Sequence, residues 1–502
     1  MLFNPISIIL GFSLFALPGV FAHPATVVIG EEAEPHLRGR RSFYRRDGAE
    51  HTVFEHDATK SKIDFVTNSG VCETTKGVNQ YSGYVTVGSE LPLDFWGDHN
   101  QSMWFWFFEA RNKPKNAPLT LWINGGPGSS SMFGLFRENG PCQFVGDSPA
   151  PTRNPYSWNE YSNMLYVDQP ISVGFSYGTN DVSSSVEAAP AVWTLLQAFF
   201  ANFPRYEGRD FGLFTESYGG HFGPAFSDYF NSQNEAIKKK KVKGEKIKLI
   251  ALGINNGFYD GISAFINSPS FFVNNSYRPL MTESLAQAEI QAMKTRCAPE
   301  VKKCDTLVGK EAICNNAQAV CEGIDGNEFY PIYSQSNFAL YDIRIPAPGP
   351  FRSQTAYIDY LNDPAIKRKI GAKSNYVQDS DETYGLFYAN GDAARSFIPT
   401  LSSLVSSGLP VLIWNGDADA LCDWFTNYAV TTQISYPDAA KYKNTKVAPY
   451  KTRGVVKGEF KSVGKLSWLR VFEAGHPMPY DQPELALQAF SQFMEKGKLW
   501  ST

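Results

Sequence analysis

The stretch "FGLFTESYGGHFGPAF", Phe211 to Phe226, limits what this chain can fold into more than any other. Its first half is apolar and strand-like. Ser217 then stands between Glu216 and Tyr218, and Gly219 and Gly220 follow at once. A strand that turns sharply into a helix exposes one side chain at the sheet edge, and small residues beside it let the backbones approach. That is the arrangement of a nucleophile elbow, with Ser217 at its tip. The usual G-x-S-x-G is incomplete, because Thr215 takes the place of the first glycine. Alone, such a segment is as compatible with an ordinary turn as with a nucleophile.

The rest of the chain alternates in the same way. "APLTLWINGG" is a buried-strand run closed by glycines, and "SNMLYVDQP" is another that ends at a proline. "ARSFIPTLSSLVSSGLPVLIWNGDADALCDWF" reads as helix, turn and strand. "SWLRVFEAGHPMPYDQPELALQAFSQFMEKG" reads as strand, loop and a C-terminal amphipathic helix with Leu487, Phe490 and Met494 on one face. This alternation predicts an α/β fold around a parallel sheet, with the working groups beyond the carboxyl ends of strands. Between about residues 258 and 395 the pattern changes to helical stretches and a cysteine cluster, which predicts a cap inserted over the sheet edge. A hydrophobic content of 43% supplies a sizeable core, and a net charge of −4 gives no reason to expect nucleic acid as a partner. The run "IKKKKVKGEKIK" reads as solvated surface.

The N-terminus, "MLFNPISIILGFSLFALPGVFAHPA", holds an apolar run too short for a membrane span and ends in Val20-Phe21-Ala22. Residues 1–22 read as a secretory signal peptide cut after Ala22, although its start lacks positive charge. Residues 23–46 carry the pairs Arg40-Arg41 and Arg45-Arg46, which suit a processing protease. A pro-segment ending near Arg46 is expected, with a basic arm as the alternative, and residues 47–502 form the catalytic domain. No later run is long enough for a membrane anchor, so the product is expected to be secreted and extracellular, the vacuole being the other destination. Asn100-Gln-Ser and Asn274-Asn-Ser are glycosylation sequons in that setting. Secretion also favours disulfides among the seven cysteines, Cys72, Cys142, Cys297, Cys304, Cys314, Cys321 and Cys422, with one thiol left over. The four from Cys297 to Cys321 lie in a polar segment that needs covalent staples. Their spacing is too wide for C-x-x-C pairs and no histidine is near, which argues against zinc.

A serine hydroxyl is a poor nucleophile unless a base takes its proton and an acid orients that base. In sheets with such an elbow the chain order is Ser, acid, His. Only His221 and His476 follow Ser217, and His221 leaves no room for an intervening acid. His476, in "EAGHPMPYDQP", remains. The strand end "LPVLIWNGDADALCDW" offers Asp417, Asp419 and Asp423; Asp419 has the reach, and Asp417 suits a turn that holds loop backbone. The glycine-rich "WINGGPGSSS" also follows a strand, so the amides of Gly126 and Tyr218 are assigned as oxyanion donors.

Taken together, "LWINGGPGSSS", "FRENGPC", "YVDQPISVGFSYG", "TESYGG", "NGDADALCDW" and "GHPMPYDQP" closely resemble the serine carboxypeptidases, most of all their secreted fungal branch, over nearly the whole mature chain. The resemblance implies an α/β-hydrolase fold with a mixed, mostly parallel central sheet and a helical, disulfide-stapled cap. It implies release of single C-terminal amino acids from peptides and proteins, best at acidic pH, without cofactor or metal. It places the substrate's carboxylate on Trp122, Asn124, Gly125, Glu138 and Glu216. Two ionised glutamates would repel that carboxylate, whereas crowding and burial keep carboxyls protonated and able to donate. By the same resemblance Cys72 pairs with Cys142, and Cys304–Cys314 nests inside Cys297–Cys321, leaving Cys422 free. Thr215 and Pro477 depart from the family's usual residues without removing a reacting group, and Ser129 stands where many relatives carry a disulfide cysteine. An acyltransferase on the same scaffold is the alternative. An inert binding protein is disfavoured, because every triad position is filled.

Overall fold

The structure, a computed structural model, describes residues 27–34 (backbone only), 39–56, 59–87, 101–146, 148–323, 338–346 and 355–502. The expected signal peptide and Asn100 lie outside these residues, whereas Asn274 is exposed at the end of a helix.

The N-terminal strands are β1 (Val27–Glu34), β2 (Gly39–Arg46), β3 (Ala49–His56), β4 (Ser61–Thr67), β5 (Gln80–Val87) and β6 (Gln101–Phe108). β7 (Leu119–Ile123), the short helix α1 (Met132–Arg137), the small hairpin β8 (Cys142–Gln143) and β9 (Thr152–Arg153), β10 (Asn163–Val167), β11 (Asp210–Glu216) and β12 (Lys248–Asn255) follow. A second small hairpin, β13 (Phe338–Ala339) and β14 (Asp342–Pro346), precedes β15 (Val411–Gly416), β16 (Ala448–Thr452), β17 (Val455–Val463) and β18 (Leu466–Val471). Among the described residues fourteen of these form one sheet, in the order β1-β2-β3-β4-β5-β6-β10-β7-β11-β12-β15-β18-β17-β16. The sheet is mixed. Its centre, β10-β7-β11-β12-β15-β18, is parallel, and both flanks are antiparallel.

The "MWFWFF" run explains how the sheet is buried on both sides. Met103, Phe105 and Phe107 join one apolar cluster, and Trp104, Trp106 and Phe108 join the other, because successive strand residues point to opposite faces. The first cluster is closed by α2 (Ser185–Asn202), α3 (Gly219–Lys238) and the helix Ile398–Ser406. The second is closed by the C-terminal helix Pro483–Lys496, whose Phe490 stacks on Trp158 at 4.2 Å. The result is a three-layer α/β/α sandwich.

β12 and β15 are neighbours, with Leu252 opposite Val411, yet a long excursion separates them in the chain. It contains α4 (Gly261–Asn274), α5 (Glu283–Ala292), α6 (Ala298–Val301), α7 (Glu311–Glu322), the β13–β14 hairpin and the helix Asp381–Asn390. Disulfides join Cys297 to Cys321 and Cys304 to Cys314 here, and Cys72 to Cys142 elsewhere; Cys422 is a buried free thiol.

Candidate active site

Four parallel strands of the sheet's centre, β7, β11, β15 and β18, with β12 between β11 and β15, end at one edge of the sheet and deliver Asn124–Gly126, Ser217, Asp419 and His476 to it. Ser217 occupies the turn between β11 and α3 with φ +60°, in the left-handed region that a residue other than glycine rarely adopts. The turn is held from both sides: its N–H donates to Asn255 O at 2.9 Å, and its carbonyl accepts from Gly220 and Phe258 N–H. The small residues have defined tasks. A Cβ on Gly220 would come within 2.2 Å of the Phe258 carbonyl oxygen, and one on Gly219 within 2.4 Å of Thr215 Cβ. Gly219 thus makes the room that Thr215 needs, and the Thr215 hydroxyl donates to its carbonyl.

His476 Nδ1 lies 2.6 Å from Asp419 Oδ2. Asp419 is fully buried, and its carboxylate also accepts from Asn256 Nδ2 at 2.7 Å and from Leu421 N–H at 2.9 Å. With so many donors the carboxylate is an acceptor, so Nδ1 carries the imidazole proton and Nε2 is left free to accept. The ring meets Tyr341 edge-on at 5.0 Å, and the His476 N–H donates to Tyr341 O. The other two aspartates have structural work. Asp417 accepts the Glu473 amide in the histidine loop, and Asp423 caps the helix Trp424–Gln433 through Thr426 N–H. His221 is not brought to this group: it is buried in the helix behind the elbow, its Nδ1 donating to Phe258 O at 2.7 Å, and burial holds it below the ordinary imidazole range.

The loop after β7 passes so close to the elbow that a Cβ on Gly125 would lie 2.4 Å from Tyr218 N and 2.6 Å from Glu216 O. Gly126 and Tyr218 both border the cavity beside Ser217. Asn124 is the hub of the polar side. Its Oδ1 accepts from Trp122 Nε1 at 2.7 Å and from Gly134 N–H, while its Nδ2 donates to Glu138 Oε1 at 3.2 Å and Glu216 Oε1 at 3.1 Å. Burial, and then the neighbouring Glu138, push Glu216 well above the usual carboxylate range; burial pushes Glu138 up as well. Asn124, Gly125, Glu216, Ser217 and His476 line one cavity of about 310 Å³. Trp122 and Glu138 stand one layer behind, reaching it through Asn124.

A second lobe of about 350 Å³ opens on the other side of Ser217, walled by aromatic residues of the cap; Gly126, Ser217, Tyr341 and Leu421 border both lobes. Cys422 lies in its wall. Burial, with Asp419 and Asp423 nearby, pushes the thiol well above its ordinary value. Asp419, Cys422 and His476 place their ligand atoms within 4.8 Å of one another, but the carboxylate and imidazole are spent on each other and the thiol holds its proton, a poor donor set for a metal.

The elbow, the mixed sheet and the inserted helical segment define an α/β hydrolase. The sequence model of the serine carboxypeptidase family matches residues 71–496, and the chain belongs to that family. It is 50% identical over 442 residues to carboxypeptidase S1 of Penicillium janthinellum, covering 87% of this chain and 100% of that one. It is 34% identical to carboxypeptidase S1 homolog A of Arthroderma otae, over 88% of this chain and 77% of that one. The crystal structure of Kex1(delta)p, a prohormone-processing carboxypeptidase from Saccharomyces cerevisiae, superposes with a TM-score of 0.64 at 19% identity, over 85% of this chain and 93% of that one. This protein is a serine-type carboxypeptidase.

Sequence reasoning missed Asn255 and Asn256. Asn255 Nδ2 donates to Glu216 Oε2 at 2.8 Å and to His476 O at 3.1 Å, and Asn256 holds Asp419. The signal was available: "GINNG" closes a strand with consecutive side-chain amides, as "WINGG" does. Asp392 was missed as well. Its buried carboxylate accepts from Tyr218 Oη at 2.9 Å and Ser185 Oγ at 2.7 Å, from a distant part of the chain that no local pattern links to the elbow.

Proposed function

We propose that Ser217, His476 and Asp419 form the catalytic triad of this carboxypeptidase, and that the polar lobe holds the free carboxylate of the substrate. His476 Nε2 takes the hydroxyl proton as Ser217 Oγ attacks the last peptide carbonyl, and the amides of Gly126 and Tyr218 receive the oxyanion. The proton passes to the leaving amine, the terminal amino acid departs, and water hydrolyses the acyl-enzyme by the same route. Asn124 Nδ2 turns one of its two protons from Glu216 to the departing residue's carboxylate, which Gly125 and protonated Glu216 also hold, with Glu138 behind Glu216 and Trp122 fixing the Asn124 amide. The observation that carries this reading is the buried carboxyl of Glu216, in the same cavity as Ser217 and His476 and bridged by Asn124 to the buried Glu138 behind it. Because that site needs protons, catalysis on free-acid peptides is best at acidic pH.

The chain enters the secretory pathway through residues 1–22, is processed near Arg46 and carries glycans at Asn100 and Asn274; the exposed position of Asn274 supports the last point. Among the described residues no helix is long and apolar enough to cross a membrane. Timed release of the last amino acid from unblocked peptides tests the assignment. Ser217→Ala, His476→Ala and Asp419→Asn each lower kcat, the last by about 10⁴-fold as in other triads, and their losses do not multiply. Near-normal turnover in His476→Ala, with loss in His221→Ala, would refute it.

A further inference from the structure

If the polar lobe takes the departing residue, as proposed above, the residue before the scissile bond places its side chain in the second lobe. Phe258, Phe265, Tyr384, Phe387 and Tyr388 give it an aromatic wall. Among the described lining residues Glu322 alone has an acidic or basic side chain. It ends α7 beside Cys321, so the Cys297–Cys321 bridge anchors its backbone. Gln318, one helical turn earlier, lines the same lobe and donates Nε2 to Glu322 Oε1 at 2.9 Å.

The unused groups show what this lobe is built to receive. No described residue donates to Glu322 Oε2, and Gln318 Oε1 is buried with no donor. Both are acceptors, so a ligand that satisfies both must bring donors. Guanidinium and ammonium groups are all donor and no acceptor. The Tyr384 and Tyr388 rings, 6.3 Å apart and 28° from parallel, add π faces that attract a cation and suit a planar guanidinium best. Burial raises the Glu322 carboxyl above its ordinary value, and a cation docked beside it favours the charged form again.

We propose that Glu322, with Gln318 and the Tyr384–Tyr388 pair, is a specificity determinant that selects peptides whose penultimate residue is arginine or lysine. The selection is made through the ion pair and not through length, since the aromatic walls accept an apolar chain of the same reach.

N-acylated dipeptides with a C-terminal leucine, preceded by arginine, citrulline, lysine or norleucine, test this. Citrulline keeps the length and planar head of arginine without its charge. We expect wild-type kcat/KM to favour arginine over citrulline by about 10- to 100-fold, the scale of a charge-assisted hydrogen bond, and the ratio to collapse toward one in Glu322→Gln. The lysine-to-norleucine ratio should fall in parallel. A wild-type ratio near one overturns the proposal even if Glu322→Gln does not fold, and so does a high ratio that survives the substitution. Failure to release leucine from any of the four would instead overturn the reading of the polar lobe on which it rests.

Discussion

One amide, that of Asn124, is shared by two buried carboxyls, and burial together with their closeness to each other decides their charge. Two ionised glutamates on one donor would repel each other, and the substrate carboxylate proposed to bind beside them, in a site too dry to screen them. Both are held above the ordinary range, so the site is protonated on the acid side and loses its proton as pH rises through the raised values. Binding of free-acid peptides should therefore weaken as pH rises. Glutamine cannot ionise. In Glu138→Gln combined with Glu216→Gln the rise of KM with pH should move to higher pH, while amidated or ester substrates respond less. An unchanged pH profile for free-acid peptides would show that the glutamates do not act as protonated donors. At this scale much was legible in the sequence. Chain order singled out His476 and strand-end position Asp419, and the fold sets these two 2.6 Å apart. "GINNG" marked Asn255 and Asn256 as strand-end amides, but their partners, and Asp392 altogether, were not legible, because these contacts are set by the alignment of separate strands and by the return of the cap.

At the scale of elements, catalysis depends on how closely the loop after β7 approaches the turn between β11 and α3. Thr215 pairs with Ile123 in adjacent parallel strands, so the two strand ends arrive level and their loops must share one space. Gly125 allows this, since a Cβ there would meet Tyr218 N, Glu216 O and Ser217 Cβ, all within 2.8 Å. Nothing in that group is the far end of a flexible side chain, so the backbones would have to part. Gly125→Ala should displace the Gly126 and Tyr218 amides together and lower kcat/KM by about 100-fold, as misplacements of an ångström do. Asp419 and His476 lie on other strands, and the protein should remain folded. Near-normal turnover of a soluble Gly125→Ala enzyme would mean that the approach is looser than the geometry requires. "NGGPG" announced a tight loop, but which glycine faces the elbow could be read only from the register of β7 against β11.

Across the whole molecule two bodies of unequal strength meet at the site. The sheet is packed on both faces by large apolar clusters, whereas the disulfide-bearing part of the cap has a small one: Met293, Val301, Ala317, Ala394 and the four cystine half-residues. A core that small does not hold a fold alone, so the two bridges supply the stability, each by about 2–4 kcal/mol. The pattern change near residue 258 revealed the insertion, and the polar composition around the cysteines revealed the need for staples. Which faces of α4 and α7 look onto Ser217 depended on packing that no periodicity shows. Ser217, Asp419 and His476 are carried by the sheet, while Phe265, Gln318 and Glu322, which line the second lobe, are carried by α4 and α7. Removing both cap bridges, with Cys297→Ala, Cys304→Ala, Cys314→Ala and Cys321→Ala together, should open α5 to α7 and leave the sheet folded. Hydrogen exchange would then rise within residues 283–322 while the strands stay protected. Peptide turnover would fall steeply, because the second lobe is lost, yet a small phosphonylating reagent should still label Ser217 at a near-normal rate. Loss of both activities with one cooperative unfolding transition would mean instead that cap and sheet form a single unit.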